Sequence, residues 1–138
     1  MKRVALALLV LVLCVGCQHA GRTDGADIRY GSSTRFSQAE IKSAVDAVLV
    51  KFRDFVGCDL KAIWYDESAS DTMIDTDPTN APNGARAADT IVLLSDFYVD
   101  SYGGDGSFNA DSMYTGWSWT LVRDGAQSPW RVVAWGEG

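Results

Sequence analysis

The hydrophobic pattern begins with an unbroken apolar run from Val4 to Val15, placed behind Lys2 and Arg3. A bilayer-spanning helix needs roughly 20 apolar residues, so this run is too short to be one. A basic start followed by a short apolar stretch fits a secretory signal instead. The next patterned stretch lies further on, where Ile41, Ala44, Val45, Val48, Leu49, Phe52, Phe55 and Val56 recur at helical spacing. Ser37 and Glu40 form a capping box ahead of it, with Phe36 and Ile41 at the positions of a hydrophobic staple. Gly57 stands where a helix commonly ends in a left-handed residue. The spacing predicts one long helix over 38–56.

After Gly57 the period falls to two. Leu60, Ala62 and Trp64 alternate with Lys61, Ile63 and Tyr65, which predicts a strand over 60–65. Residues 66–88 collect Pro78, Pro82 and Asn83-Gly84 and read as a long loop that has room for a short helical turn. Further strands are predicted over 89–99, 114–123 and 130–135, the last two as a hairpin across the turn that begins at Asp124-Gly125. Ile28 to Tyr30 is a candidate for a short extended piece. One helix followed by about four sequential strands predicts an α+β fold, with the helix packed on a curved antiparallel sheet.

Composition sharpens this picture. A chain of 138 residues with 47% apolar content can bury the core of one domain. The net charge of −6 argues against a nucleic-acid partner, which calls for a basic stripe. Cysteine usage adds a location. The apolar run ends in Cys14-Val15-Gly16-Cys17, and small residues before a cysteine at that point resemble the bacterial lipobox. The resemblance implies cleavage before Cys17 and a lipid on its sulfur, although Cys14 stands where the motif usually carries Leu. The expected organisation is a signal peptide over 1–16, a lipidated Cys17 with a flexible tether over 17–29, and a single domain over 30–138. Cleavage would leave ten basic residues against eighteen acidic ones, a net of −8, with Cys58 as the one thiol of the domain. Next to the end of the helix and without a histidine neighbour, Cys58 reads as a buried small hydrophobe.

Several runs in order resemble a family of small exported bacterial domains. They are Phe36 to Ile41, Leu60 to Glu67, Ile91 to Asp100 with Gly103 to Ser107, and Trp117 to Arg123 with Trp130 to Val133. The resemblance implies a cystatin-like or nuclear-transport-factor-2-like α+β cone and a lipoprotein's place on the extracytoplasmic face of the cell membrane. It implies no catalytic residues, and a fold of this kind does not by itself choose a function.

Candidate chemistry is sparse. The single histidine, His19, falls in the expected tether, so no Ser-His-Asp or Cys-His arrangement can assemble inside the domain. No cysteine and histidine cluster has zinc spacing, and no cofactor is expected. The leading expectation is therefore a non-catalytic module that binds a protein, peptide or small ligand, with Trp64, Asp96, Tyr98 and Trp135 as candidate surface residues. Trp64, Trp117 and Trp119 are expected to fill the space between helix and sheet, whereas Trp135 is expected on an outer strand face. One alternative is an enzyme using Asp and Tyr acid–base groups, drawn from Tyr65, Asp66, Asp96, Tyr98 and Tyr114. The other is a calcium-stabilised structural domain. Asp105, Asn109 and Asp111 carry oxygen ligands at calcium-loop spacing, but the loop lacks the closing bidentate carboxylate.

Overall fold

The computed structural model describes residues 18–76 and 87–138. The signal segment, Cys17 and the turn formers Pro78, Pro82 and Asn83-Gly84 lie outside the described residues. The elements in chain order are β1 (Asp27–Arg29), α1 (Gln38–Phe52), β2 (Cys58–Trp64), α2 (Glu67–Thr76), β3 (Thr90–Val99), β4 (Met113–Val122) and β5 (Arg131–Glu137), with a short 3-10 turn at Ala87–Asp89. The five strands form one mixed sheet in the order β1-β2-β3-β4-β5, with β1 parallel to β2 and each later pair antiparallel. The class is α+β. The architecture has a second helix and a fifth strand beyond the expected elements.

Helix α1 begins as its sequence predicts. The Ser37 hydroxyl accepts from the Glu40 amide at 3.1 Å and Glu40 Oε2 accepts from the Ser37 amide at 2.7 Å, so two orphan donors are satisfied reciprocally. Its buried stripe is Ile41, Ala44, Val45, Val48 and Phe52. The helix ends at Phe52 rather than Val56, because residues 53–56 turn to bring Phe55 under the sheet, and Gly57 follows at φ +74°. Phe52 meets Phe97 and Trp119 edge-on at ring separations of 5.6 and 6.2 Å, which seats α1 on the inner face of the sheet.

Three β-bulges decide which residues that inner face holds. A bulge exchanges the faces of a strand from that point on. In β2 one lies between Leu60 and Ala62, so Leu60 shares the core with Ile63 and Tyr65 and not with Ala62 and Trp64. Strict alternation over 60–65 is thus corrected, and Trp64 leaves the core for the outer face. In β4 the extra residue is at 115–116, where Gly116 takes φ +66° and its amide donates to Asp96 Oδ1 at 2.9 Å. Tyr114 and Trp117 therefore both face the core. In β5 the extra residue is Val133, which puts Val132 opposite Leu121 and Trp135 opposite Trp119. Trp135 accordingly points to the α1 side, packing on Trp119 and Phe55 at 6.4 Å each, and not to the outer face as expected.

Residues 18–29 are not a free tether. Gly57 donates its amide to His19, Gly21 to Arg53 and Arg22 to Cys58, and Leu60 donates back to Arg22, all at 2.8–3.0 Å. The segment then runs along β2 as β1. At Gly21 the fit excludes any side chain, since a Cβ there would lie 1.9 Å from the Phe52 carbonyl oxygen. Composition suggests a linker, but backbone pairing with β2 and the close approach at Gly21 hold the segment.

The second helix occupies part of the expected long loop. Asp66 caps it, Oδ1 accepting from the Ala69 amide at 2.7 Å. It packs against β3, where its buried Ser70 accepts from the Val92 amide at 3.0 Å. β2 has already ended at Trp64, opposite Leu94, so Ser70 supplies the acceptor that a longer β2 would have provided.

Candidate functional site

β2 gives the molecule two poles. Its first residue, Cys58, lies at the end where the chain enters the fold, and its last, Trp64, leads to α2 at the other. Seven residues at a rise of about 3.3 Å separate them by roughly 20 Å.

The pole beyond Trp64 carries an open cavity of about 670 Å3 between the 31–35 loop and α2. Glu67, Asp71, Asp75 and Asp66 contribute carboxylates to it, and Ser68 and Thr72 add hydroxyls. Two of these four carboxylates, Glu67 and Asp71, are tied to the loop. Glu67 accepts from the Ser33 hydroxyl at 2.5 Å and from the Thr34 amide and hydroxyl at 3.0–3.1 Å. The Ser33 hydrogen bond, with the Thr34 amide behind it, holds the Glu67 carboxyl below the usual carboxylate range. Arg35 bridges Asp71 and Glu67 while lying over the Phe36 ring. Burial pushes the neighbouring Tyr65 phenol up. The arrangement fixes the loop against α2 and leaves an opening lined by oxygen atoms. Of its lining, Tyr65 and Asp66 stand among the acid–base candidates, whereas Glu67, Asp71 and Asp75 fall in the stretch expected to be a loop, where Ser, Thr and Asp outnumber apolar residues.

The four candidate surface residues separate into two places. Trp64, Asp96 and Tyr98 share the outer face of β2 and β3, since Asp96 stands opposite Ala62, Tyr98 opposite Asp59 and Trp64 opposite Leu94. Each has a local partner. Arg29 lies 5.0 Å over the Trp64 ring, Asp96 holds the Gly116 bulge, and the Tyr98 hydroxyl donates to Asp111 at 2.9 Å. That last bond also raises the Tyr98 phenol above its ordinary range. Trp135 is at the opposite face and at the entry pole.

Of the groups named for the acid–base alternative, Tyr65 and Asp66 line the opening beside α2, whereas Asp96, Tyr98 and Tyr114 stand on the sheet. Asp66 caps α2, Asp96 is bound at the bulge on the outer face, and Tyr114 stacks on Phe97 at 5.2 Å on the inner face, where its hydroxyl accepts from the Asn109 amide. The calcium candidates are each bound locally. Asp105 Oδ1 accepts from the Ser107 hydroxyl and amide, chiefly the hydroxyl, and these bonds hold its carboxyl below the usual range. Asp111 receives Tyr98, and Asn109 is bound through its backbone. Among the described residues no group of three Asp, Glu, His or Cys side chains could hold a metal ion. The 100–112 loop is instead organised by Asp100, whose Oδ1 accepts from the Tyr102 and Gly104 amides at 3.0 Å.

The entry pole is aromatic. Phe55, Phe108 and Trp135 line a cavity of about 200 Å3, flanked by Lys51, Asp54 and Asp105. The Lys51 ammonium sits 4.6 Å over the Trp135 ring. Behind them Phe97, Tyr114 and Trp117 continue the ring contacts into the core. Cys58 closes this end from inside, fully buried. Burial, followed by the charges of Asp100, Asp105 and Asp59, pushes its thiol up to about 12. A thiol raised this far stays protonated and is a poor nucleophile. Native protein is therefore expected to resist a disulfide reagent at pH 8 and to react only as fast as it unfolds. Rapid labelling of Cys58 under native conditions, followed by thiol mass shift, would contradict that placement.

Comparison with family models, with curated proteins and with solved structures finds no match to this chain. Function therefore has to be argued from the molecule's own chemistry.

Proposed function

We propose that this chain is an exported lipoprotein, held at the extracytoplasmic face of the cell membrane through Cys17, whose domain binds a protein, peptide or small ligand without catalysing a reaction. The observation that carries the anchored reading is the short apolar run behind Lys2 and Arg3 that ends in Gly16-Cys17. Among the described residues no helix is long and apolar enough to cross a membrane. Support for binding comes from the pole away from Gln18, where the 670 Å3 opening is wide, lined by oxygen atoms and turned away from the anchor. The α+β architecture, with a long helix on one face of the sheet, is compatible with the cystatin-like or nuclear-transport-factor-2-like cone that the sequence resembles.

The anchor is tested directly. Cys17→Ala is expected to move the protein from the membrane fraction to the soluble fraction and to remove a diacylglyceryl mass from the N-terminal peptide. Unchanged membrane association of this variant would refute the reading.

A further inference from the structure

The domain starts without slack. The Gln18 side-chain amide donates to the Gly104 carbonyl, and the Gly57 amide donates to His19 at 2.8 Å. Consecutive Cα atoms are about 3.8 Å apart, so anything attached to residue 17 emerges within one residue's reach of the 100–108 loop. Around that exit the surface is aromatic. Tyr102, two residues from Gly104, is 70% exposed, and Trp135 is 45% exposed. Gly104 lies against the Phe108 ring, and Phe108 and Trp135 line one cavity over the buried Phe55, at 5.7 and 6.4 Å from its ring. Lys51 covers the Trp135 ring with its ammonium on top. Amphipathic rings with a lysine beside them are what the membrane–water interface favours, and a lysine stem can lie along apolar surface with its charge in the headgroups.

We infer that this entry pole is a membrane-seating surface: Tyr102, Phe108 and Trp135 rest in the headgroup layer and hold the domain flush against the bilayer. The inference depends on the lipid at Cys17 proposed above. The occupant is a lipid surface rather than a soluble partner, because acyl chains leaving residue 17 bring the bilayer to the pole at which Gln18 meets Gly104 and on which these rings stand. Asp54 and Asp105 flank the patch, so the seating is apolar and is weakened by anionic lipid.

The test uses the mature lipoprotein in phosphatidylcholine vesicles whose acyl chains are brominated, with tryptophan emission as the readout. Seating predicts loss of the emission contributed by Trp135, protection of that emission from aqueous iodide, and loss of both effects in Trp135→Phe. The exposed position of Tyr102 supports a second variant that leaves the core untouched, and Tyr102→Trp is expected to add further lipid quenching. Vesicle-bound protein whose emission is quenched by iodide but not by brominated lipid, in wild type and Tyr102→Trp alike, overturns the seating while leaving the anchor intact. Shielding from both quenchers assigns the patch to a second copy of the chain and also overturns it. Protein that lacks the diacylglyceryl mass and fails to bind vesicles overturns the anchor, and the seating with it.

Discussion

Trp119→Ala is expected to lower the stability of the domain by about 3–5 kcal/mol, the usual cost of truncating a large buried ring. Trp119 has no exposed surface and stands at the centre of the inner layer, in ring contact with Phe52, Phe55 and Trp135. Its indole N–H donates to Ser95 Oγ at 2.8 Å in a buried hydrogen bond. Truncation would open a cavity and leave the serine without that donor, two costs that add. For a domain of this size each kcal/mol moves the midpoint by roughly 4 °C, so a fall of about 12–20 °C is expected in thermal unfolding. Trp119→Phe retains most of the volume and loses the donor, and should fall by about 1–2 kcal/mol. A Trp119→Ala midpoint within 2–3 °C of wild type, about half a kcal/mol on the same scale, would show that the inner layer is not packed around this ring.

The second large effect is expected from Arg123→Met, at about 3 kcal/mol, the lower part of the range for breaking a buried ion pair from one side. The Arg123 side chain is only 5% exposed. It donates to Glu40 at 2.8 Å, to Asp89 at 3.4 Å and to the Ala88 carbonyl at 2.9 Å, and it lies 4.4 Å over the Trp130 ring. Trp130 in turn donates its indole N–H to the Glu40 carbonyl at 3.2 Å, so one cluster ties the start of α1 to the end of β4 and the start of β5. Methionine keeps the stem over Trp130 and removes the charge, depriving Glu40 and Asp89 of their guanidinium. Glu40 retains its bond from the Ser37 amide and some solvent access, which keeps the loss below the top of the range.

The same cluster sets a pH dependence. The Ser37 amide first, and then Arg123, hold the Glu40 carboxyl below its ordinary value. A carboxyl with a depressed folded pKa contributes stability that is fully present above the unfolded value, near ~4.3, and that disappears as pH falls through the folded value. Wild type should therefore lose stability through that acid window, and Arg123→Met should lose less there. Urea unfolding of both proteins between pH 6 and 3 measures the difference. Parallel curves would show that Arg123 does not stabilise the ionised glutamate.

What the sequence disclosed follows the range of the forces involved. The capping box at Ser37 and Glu40 and the stripe from Ile41 to Phe52 are set by neighbours three and four residues away, and both stand in the structure as read. The faces of β2, β4 and β5 are set by partner strands. Nothing within 60–65 announces that Asp96 will sit opposite Ala62 after a one-residue slip that turns Trp64 outward, and nothing within 130–135 announces the extra residue that turns Trp135 inward. The Arg123 cluster joins residues 83 positions apart and has no local trace. The docking of 18–29 was hidden for another reason. Its hydrogen bonds are made by the backbone and its closest contact needs a missing side chain at Gly21, so a polar, glycine-rich segment looks the same whether it is loose or pinned.

That pinned segment also bears on how such a protein could leave a cell surface. A proteinase binds its substrate as several residues of extended, unpaired chain, and surface proteins are commonly shed by cuts in an exposed stalk. Here His19, Gly21 and Arg22 are hydrogen-bonded to residues 53–60 and Asp27–Arg29 pair with β2, with one exposed turn at 23–26 between them. A lipid-anchored form would offer a proteinase only the short turn at 23–26, and otherwise its release would require unfolding of the edge of the sheet or removal of the lipid itself.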